Sequence, residues 1–413
     1  MERVTKHIPK LWLTDDTLAA QFNNTRNDQV GDRAFRIIMQ TAIPGDSGYV
    51  SLDGGVLPEG SDIGLLQGTV LPTVIAGATN WTELVNIQSE AGDQVSVMNV
   101  VNRAVNGVVE MAKQQTDALL QTDGFGTLAN IDVAGVNAAT NTYNLTSLSF
   151  GSRLVQEGQT VDVVDPNTNI ARGSVKIQTR FNFLGGQQQI IYAGADVAGA
   201  ADGDIIRYTG LTDGAPLGLN GLKNMVNLSN QGNLHGIPKS SPYVQANGFD
   251  NGGAQITVPA LALAKWQRMQ RLSGAMLAGS FWWTHFSQFE SYRELGYDKQ
   301  TIPLADGKAK GLDLFFSGAV TIDGDPIKYS PNAAQDIWYL LVANGFGRVK
   351  YKDPYWAKVF GQKIYNFMDA TTGRPKLKYG STYIIPTQFY CDAVPAQAVI
   401  TGCALPAGHK YGS

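Results

Sequence analysis

Four histidines could do acid–base or metal chemistry, and they are His7, His235, His285 and His409. They share no local frame and pair with no carboxylate at metal-ligand spacing, and no HExxH or Cys/His cluster occurs. His285 follows Trp282 and Trp283, which predicts a packed ring in an aromatic stretch. Gly124-Phe125-Gly126 is part of a dinucleotide fingerprint, but it follows a helical stretch where that fingerprint needs a strand. Asp202/Asp204 and Asp323/Asp325 lack the alternating oxygen ligands and closing Glu of a calcium loop, so hairpin turns are expected there. No GxSxG elbow, no GxxxxGK[ST] loop and no carboxylate pair stands out. The chain is therefore expected to have no catalytic residue, no metal and no cofactor.

Charge is more informative than nucleophiles. Asp46, Asp53, Glu59 and Asp62 fall in a stretch without a basic residue between positions 37 and 80. Residues 346–380 hold Arg348, Lys350, Lys352, Lys358, Lys363, Arg374, Lys376 and Lys378 against Asp353 and Asp369. Two solvated faces of opposite sign would give this pattern. So would an acidic loop that docks on a neighbour's basic segment, which makes Asp46, Asp53, Glu59, Asp62, Lys350, Lys352, Lys358, Lys363, Arg374, Lys376 and Lys378 the candidate inter-subunit contacts. A single exposed pair contributes only about 0–1 kcal/mol, but a closed assembly repeats it many times.

The elements that must position these residues follow from composition and period. The 413 residues carry a net charge of −3 and 46 glycines, a balance that suits turns and strands and not a tight grip on phosphate. Cys391 and Cys403 form no CxxC pair, and no apolar run is long enough to span a membrane. The N-terminus lacks the apolar core of a signal peptide, so cytoplasmic synthesis is expected and the sequons at Asn23, Asn80, Asn144 and Asn227 are taken as composition.

Residues 1–32 have no sustained period and are expected to form an arm lying on other structure. Residues 33–80 pair two strand candidates, Ala34–Thr41 and Thr69–Ala76, around a Gly-, Pro- and Asp-rich excursion, the pattern of a projecting hairpin. Over 93–122, Val97, Val100, Val101, Ala104, Val105, Val108, Val109, Ala112, Leu119 and Leu120 recur at helical steps, with Asp93 as cap and Gly124 as stop. Residues 151–210 switch to period two with turns at Asp165-Pro166-Asn167, Gly185-Gly186 and Asp202-Gly203, predicting an inserted small barrel or sandwich. Residues 211–345 mix two helices, around Leu261–Leu272 and Phe286–Leu295, with strands at Leu314–Phe316, Val320–Ile322 and Ile337–Val342. Residues 346–413 are largely extended.

This order of elements resembles the major capsid proteins of tailed bacteriophages, the Hong Kong 97-type fold also found in encapsulins. The helix ends in LLQTDGFGTLANI (119–131), FFSGAVTIDGDP (315–326) precedes DIWYLL (336–341), and PAQAVITG (395–402) looks like the family's last strand. The resemblance implies an α+β fold with an N-terminal arm (1–32), an extended loop (33–80), a peripheral domain with a spine helix (81–150), an axial domain (211–345) and peripheral return strands (346–413). The segment 151–210 resembles the β-rich, barrel-like insertions of some members.

It also implies assembly in place of catalysis. Copies would form hexamers and pentamers that close into an icosahedral shell around double-stranded DNA, held without sequence-specific binding and without membrane contact. Some members weld subunits through a loop lysine, but no lysine occurs between Lys10 and Lys113, so a non-covalent shell is expected. The chain begins without a long helical leader, which makes a separate scaffolding protein the expected partner, with a portal and decoration proteins. Assembly in the host cytoplasm and residence in the virion follow. The alternatives are an encapsulin-type compartment and, from another class, a β-rich adhesin or carbohydrate-binding protein.

Overall fold

The spine of the molecule is α2 (Met98–Leu120), whose 23 residues span about 34 Å at 1.5 Å each. In this computed structural model the residues described are 17–23, 27–29, 34–41, 62–83, 98–146, 150–184, 187–213, 218–229, 232–270, 277–297, 321–322, 324–358, 361–368, 371 and 374–405. Val108, Ala112, Leu119 and Leu120 of the expected apolar stripe are buried. Asp93, the expected cap, lies outside the described residues. The last turn tightens through Gln121 N–H to Ala118 and Thr122 N–H to Leu119, both 3.1 Å, and Gly124 follows at φ 89°.

A six-stranded sheet lies against this helix. It contains β1 (Asn27–Gln29), β4 (Thr73–Thr82), β18 (Phe346–Lys350), β19 (Tyr355–Trp356), β20 (Tyr365–Met368) and β21 (Pro375–Cys391). Strand β21 is the backbone of the layer: β18 pairs with its 387–391 end, and β4 with 378–387. Helix and sheet approach closely at Gly77, where a Cβ would stand 3.0 Å from the Val108 Cγ1.

The projecting hairpin differs from the expected one. Strands β2 (Phe35–Gln40) and β3 (Leu65–Val70) pair from Phe35↔Val70 to Gln40↔Leu65. The candidate Thr69–Ala76 is split at Leu71-Pro72, and Thr73 onward joins β21 instead. Proline supplies no N–H to a ladder, so the chain changes partner there. The arm also differs within its described part: α1 (Thr17–Asn23) buries Leu18 and Phe22, and Phe22 stacks on Phe346 at 4.2 Å.

A closed barrel follows, in the order β10-β5-β6-β9-β8-β7. Its strands are β5 (Thr127–Asn137), β6 (Thr142–Leu145), β7 (Thr160–Val164), β8 (Ala171–Leu184), β9 (Gln187–Ala193) and β10 (Ile205–Tyr208). The barrel therefore begins at 127, before the expected 151, because β5 and β6 close the gap between β10 and β9. A sheet with six mutual partners leaves no edge. Val161, Val163, Val175, Ile177, Ile190 and Ile206 point into its core.

After a helical turn, α3 (Leu222–Met225), a small hairpin of β11 (Asn233–Leu234) and β12 (Ile237–Pro238) leads into the second large sheet. This has the order β13-β22-β17-β14-β16-β15, from β13 (Asn247–Asp250), β14 (Ser280–His285), β15 (Thr321–Ile322), β16 (Asp325–Ser330), β17 (Trp338–Val342) and β22 (Ala398–Thr401). Every residue of β14 and β17 is buried, the mark of strands covered on both faces. Helices α4 (Val258–Met269) and α5 (Phe286–Tyr297) pack on one face around Trp282, Trp338 and Leu340. Thr257 caps α4 by accepting the Ala260 N–H, with Pro259 in the first turn. The last strand, within 395–402, sits here beside β17 and not among the 346–391 strands. The candidate strand Leu314–Phe316 lies outside the described residues.

Candidate assembly surface

The base of the β2–β3 hairpin is held by a second, tighter hairpin. His235 and Gly236 have φ of 54° and 81°, the two-residue loop with both central residues left-handed, and they turn β11 into β12. The His235 carbonyl accepts the Thr69 N–H at 2.7 Å, and a Cβ on Gly68 would stand 3.2 Å from that oxygen, so a glycine fits the approach. The His235 Nε2 accepts the Cys391 N–H at 3.3 Å. Burial away from water lowers the ring's pKa to about 4. Tyr243 closes the seat by donating to the Thr41 carbonyl at 3.0 Å.

Among the described residues nothing comparable covers the opposite face of the hairpin. Ile38 is 66% exposed and Leu65 63%, with Ile63 also exposed at its mouth. They share that face with exposed Arg36, Gln67 and Thr69, and exposed apolar side chains grouped at one end of a hairpin suit a contact surface. Asp62 is exposed at this mouth, whereas Asp46, Asp53 and Glu59 lie outside the described residues.

The basic candidates are all described, and one sheet collects them. Lys350 ends β18, Lys352 and Lys358 flank β19, Lys363 precedes β20, and Arg374, Lys376 and Lys378 open β21. They are not equally available. Lys350 is held 2.6 Å from Asp353, whose carboxyl is lowered by that hydrogen bond and charge. Lys352 lies 4.8 Å from the Tyr355 ring centre and Lys378 5.0 Å from that of Phe367. Lys358, Lys363, Arg374 and Lys376 are exposed along the outer half of the sheet, beside exposed Leu377 and Met368.

Of the groups that could have done chemistry, His7, His409 and Asp323 lie outside the described residues, and the others take part in packing. His285 is fully buried against Phe286, its Nδ1 accepts the Ser287 N–H at 3.2 Å, and burial lowers its pKa to about 2. Asp202 accepts the Gly135 N–H, Asp204 pairs with Arg172 at 2.9 Å, and Asp325 pairs with Lys265 at 2.8 Å. Among the described residues no group of three His, Cys, Asp or Glu is placed to hold a metal ion. A cleft of about 700 Å³ between β4, α2 and the barrel is lined by residues such as Val74, Gln115, Gln159, Thr160, Tyr208 and Leu219. Its described lining carries Thr and Tyr hydroxyls and amides and no Asp, Glu, His, Lys, Ser or Cys. Cys391 and Cys403 are buried free thiols with pKa values raised by desolvation.

Compared with solved structures, the chain matches the capsid asymmetric unit of cyanophage A-1(L) with a TM-score of 0.60 at 12% identity, over 98% of this chain and 97% of that one. The fold is the tailed-phage capsid fold. Looser matches include the capsid of the native GTA particle (TM-score 0.47, 10% identity, 98% and 95% covered) and the holo-SrpI encapsulin complex from Synechococcus elongatus PCC 7942 (0.44, 10%, 98% and 93%). No protein-family model and no curated protein sequence matches the chain.

Within this capsid fold, two positioning groups escaped the sequence reading. Asp117, fully buried on the spine helix, accepts the Leu18 and Ala19 N–H groups at 3.0 and 2.9 Å and so ties down α1. Arg153 clamps the barrel to the second sheet through the Pro331 and Ala333 carbonyls at 2.8 and 3.0 Å.

Proposed function

We propose that this chain is a major capsid protein that assembles through hexamers and pentamers into an icosahedral shell around double-stranded DNA. The observation that carries the reading is the capsid fold running over 98% of the chain. Two further features support it. The hairpin presents exposed Ile38, Leu65 and Ile63 next to Asp62, and the outer half of the β21 sheet presents exposed cations.

In this reading each subunit lays its acidic hairpin on the basic strands of the next. The parts of the subunit then act as arm (1–32), extended loop (the β2–β3 hairpin and the residues between its strands), peripheral layer (α2 with β4 and β18–β21), barrel insertion (127–208) and axial domain (the second sheet, β13–β17 with β22). A rotation that returns to its start closes such head-to-tail contacts into rings. With no loop lysine between Lys10 and Lys113, the shell is held by burial and charge pairing. A scaffolding protein, a portal and decoration proteins are the partners this role calls for, with assembly in the host cytoplasm. DNA is enclosed and not gripped, which fits the net charge of −3.

Sedimentation velocity on the purified chain tests the proposal, with and without a co-expressed scaffolding protein. Rings and shells are expected. A single species of one 44.4 kDa chain at high concentration in both conditions would overturn it.

A further inference from the structure

Five asparagines are followed by a glycine: Asn106, Asn220, Asn247, Asn251 and Asn344. In such a pair the glycine nitrogen can approach the asparagine side chain ahead of it, because no Cβ crowds the turn. The fold restrains this approach at four of the five. Gly107 sits inside α2, where its N–H belongs to the helix ladder. Gly221 is buried on the Thr122 carbonyl, and Asn220 is held by Gln388, Asn224 and Phe389. Asn247 is buried in β13 with its amide on the Pro395 carbonyl at 2.5 Å. Gly345 is buried in a 3-10 turn against Gln397.

Asn251-Gly252 is built differently. Gly252 and Gly253 are exposed, and residues 251–254 form a turn in which the Ala254 N–H donates to the Asn251 carbonyl at 3.1 Å. The two glycines have φ of 61° and 80°, the left-handed pair of a two-residue hairpin loop. The Gly252 N–H donates to the Asp250 Oδ1 at 3.0 Å, so a carboxylate rests on the nitrogen that must lose its proton in a cyclisation. The Asn251 Nδ2 donates to the Ala254 and Gln255 carbonyls at 2.6 and 3.3 Å, which turns the side chain along the residues that follow it.

We propose that Asn251 is a self-modification site, converted to aspartate and isoaspartate through attack by the Gly252 nitrogen with Asp250 as the base. Asp250 takes the Gly252 proton, the nitrogen bonds to the Asn251 Cγ, and the Cγ–Nδ2 bond breaks. The leaving nitrogen takes up the proton and departs as ammonia. Water then opens the cyclic imide at either carbonyl, which leaves aspartate or, with the backbone routed through the side-chain carbon, isoaspartate. The change matters because of what Asn251 holds. Its N–H donates to the Thr401 carbonyl at 2.8 Å beside the β13–β22 pair, and its amide anchors Ala254 and Gln255, which lead to Thr257, the cap of α4. Conversion puts an acceptor where two carbonyls need a donor, so the link from β13 to α4 loosens with age. The chemistry takes place within one copy and does not depend on the shell reading.

The test follows the full chain by peptide mass spectrometry during storage at mildly alkaline pH, beside a sample kept in urea. In urea all five pairs are free and set the reference rate. In the folded chain Asn251 should convert at close to that rate and give separate aspartate and isoaspartate peptides. Asn106, Asn220 and Asn247 should lag by more than about tenfold, because they convert only on local opening. Asp250→Asn, which keeps an acceptor for the Gly252 N–H and removes the base, should slow the conversion severalfold in the folded chain and leave the urea rate unchanged. A folded chain in which Asn251 keeps its amide as long as Asn247 does would overturn the site. Conversion of the folded Asp250→Asn variant at the wild-type rate would overturn the role of Asp250.

Discussion

The carboxylate of Asp117 accepts both the Leu18 and Ala19 backbone N–H groups, across about a hundred residues of sequence, from a fully buried place on the spine helix. Its second oxygen accepts the Gln121 side-chain amide at 2.9 Å. The start of α1 needs acceptors for its free N–H groups, and Asp117 supplies them from another element.

Asp117→Ala should cost about 3 kcal/mol, because it strands buried donors as well as removing their bonds. Urea unfolding of the unassembled subunit measures this. Limited proteolysis should show cutting near residue 24 rise in step. An unchanged midpoint with no new cleavage would mean that α1 is held by Phe22 stacking alone.

Two glycines should respond with opposite signs. At Gly77 a Cβ would stand 3.0 Å from the Val108 Cγ1, so Gly77→Val forces sheet and helix apart and should cost about 1–3 kcal/mol. At Gly107, inside α2, a Cβ meets nothing within 4 Å, so Gly107→Ala should stabilise by about 1 kcal/mol through helix propensity. Thermal unfolding of the unassembled subunits decides both.

Acid should loosen the seat of the hairpin. The His235 ring has a folded pKa of about 4 against the ordinary 6.5, because burial disfavours the cation and Nε2 must accept the Cys391 N–H. Below pH 6.5 the unfolded chain takes up this proton first. Stability that is fully present above 6.5 is therefore lost as pH falls toward 4, by about 3 kcal/mol. His235→Asn suits the positive φ and removes the titration, so its stability should fall less over that window. An identical pH slope in the variant would assign the acid sensitivity elsewhere.

Much of this was legible in the sequence, and for identifiable reasons. The valine period of 98–120 and the alternating pairs Val161/Val163 and Val175/Ile177 carry their geometry locally, and both formed the elements they predict. Partner choice is not local. Nothing in Thr73–Thr82 says that it pairs with 378–387, some three hundred residues away, although Pro72 did mark where the hairpin ends. The basic cluster was legible as a charge count, but the capture of Lys350 by Asp353 and of Lys378 by Phe367 was not.

Charge reversal tests the docking of the loop. Asp53, Glu59 and Asp62 changed together to Lys should leave the subunit folded and abolish or sharply reduce shells. Lys358, Lys363 and Arg374 changed to Glu in the same chain should restore part of the assembly, as matched reversals do when two surfaces meet. Normal shells from the triple lysine variant would remove the docking proposal.

The most direct test of the shell itself is negative-stain electron microscopy of the expressed, purified chain, alone and with a scaffolding protein. Closed, uniform particles with hexameric and pentameric units are predicted. Fields of isolated subunits in both samples, at concentrations where the chain is folded, would contradict the account.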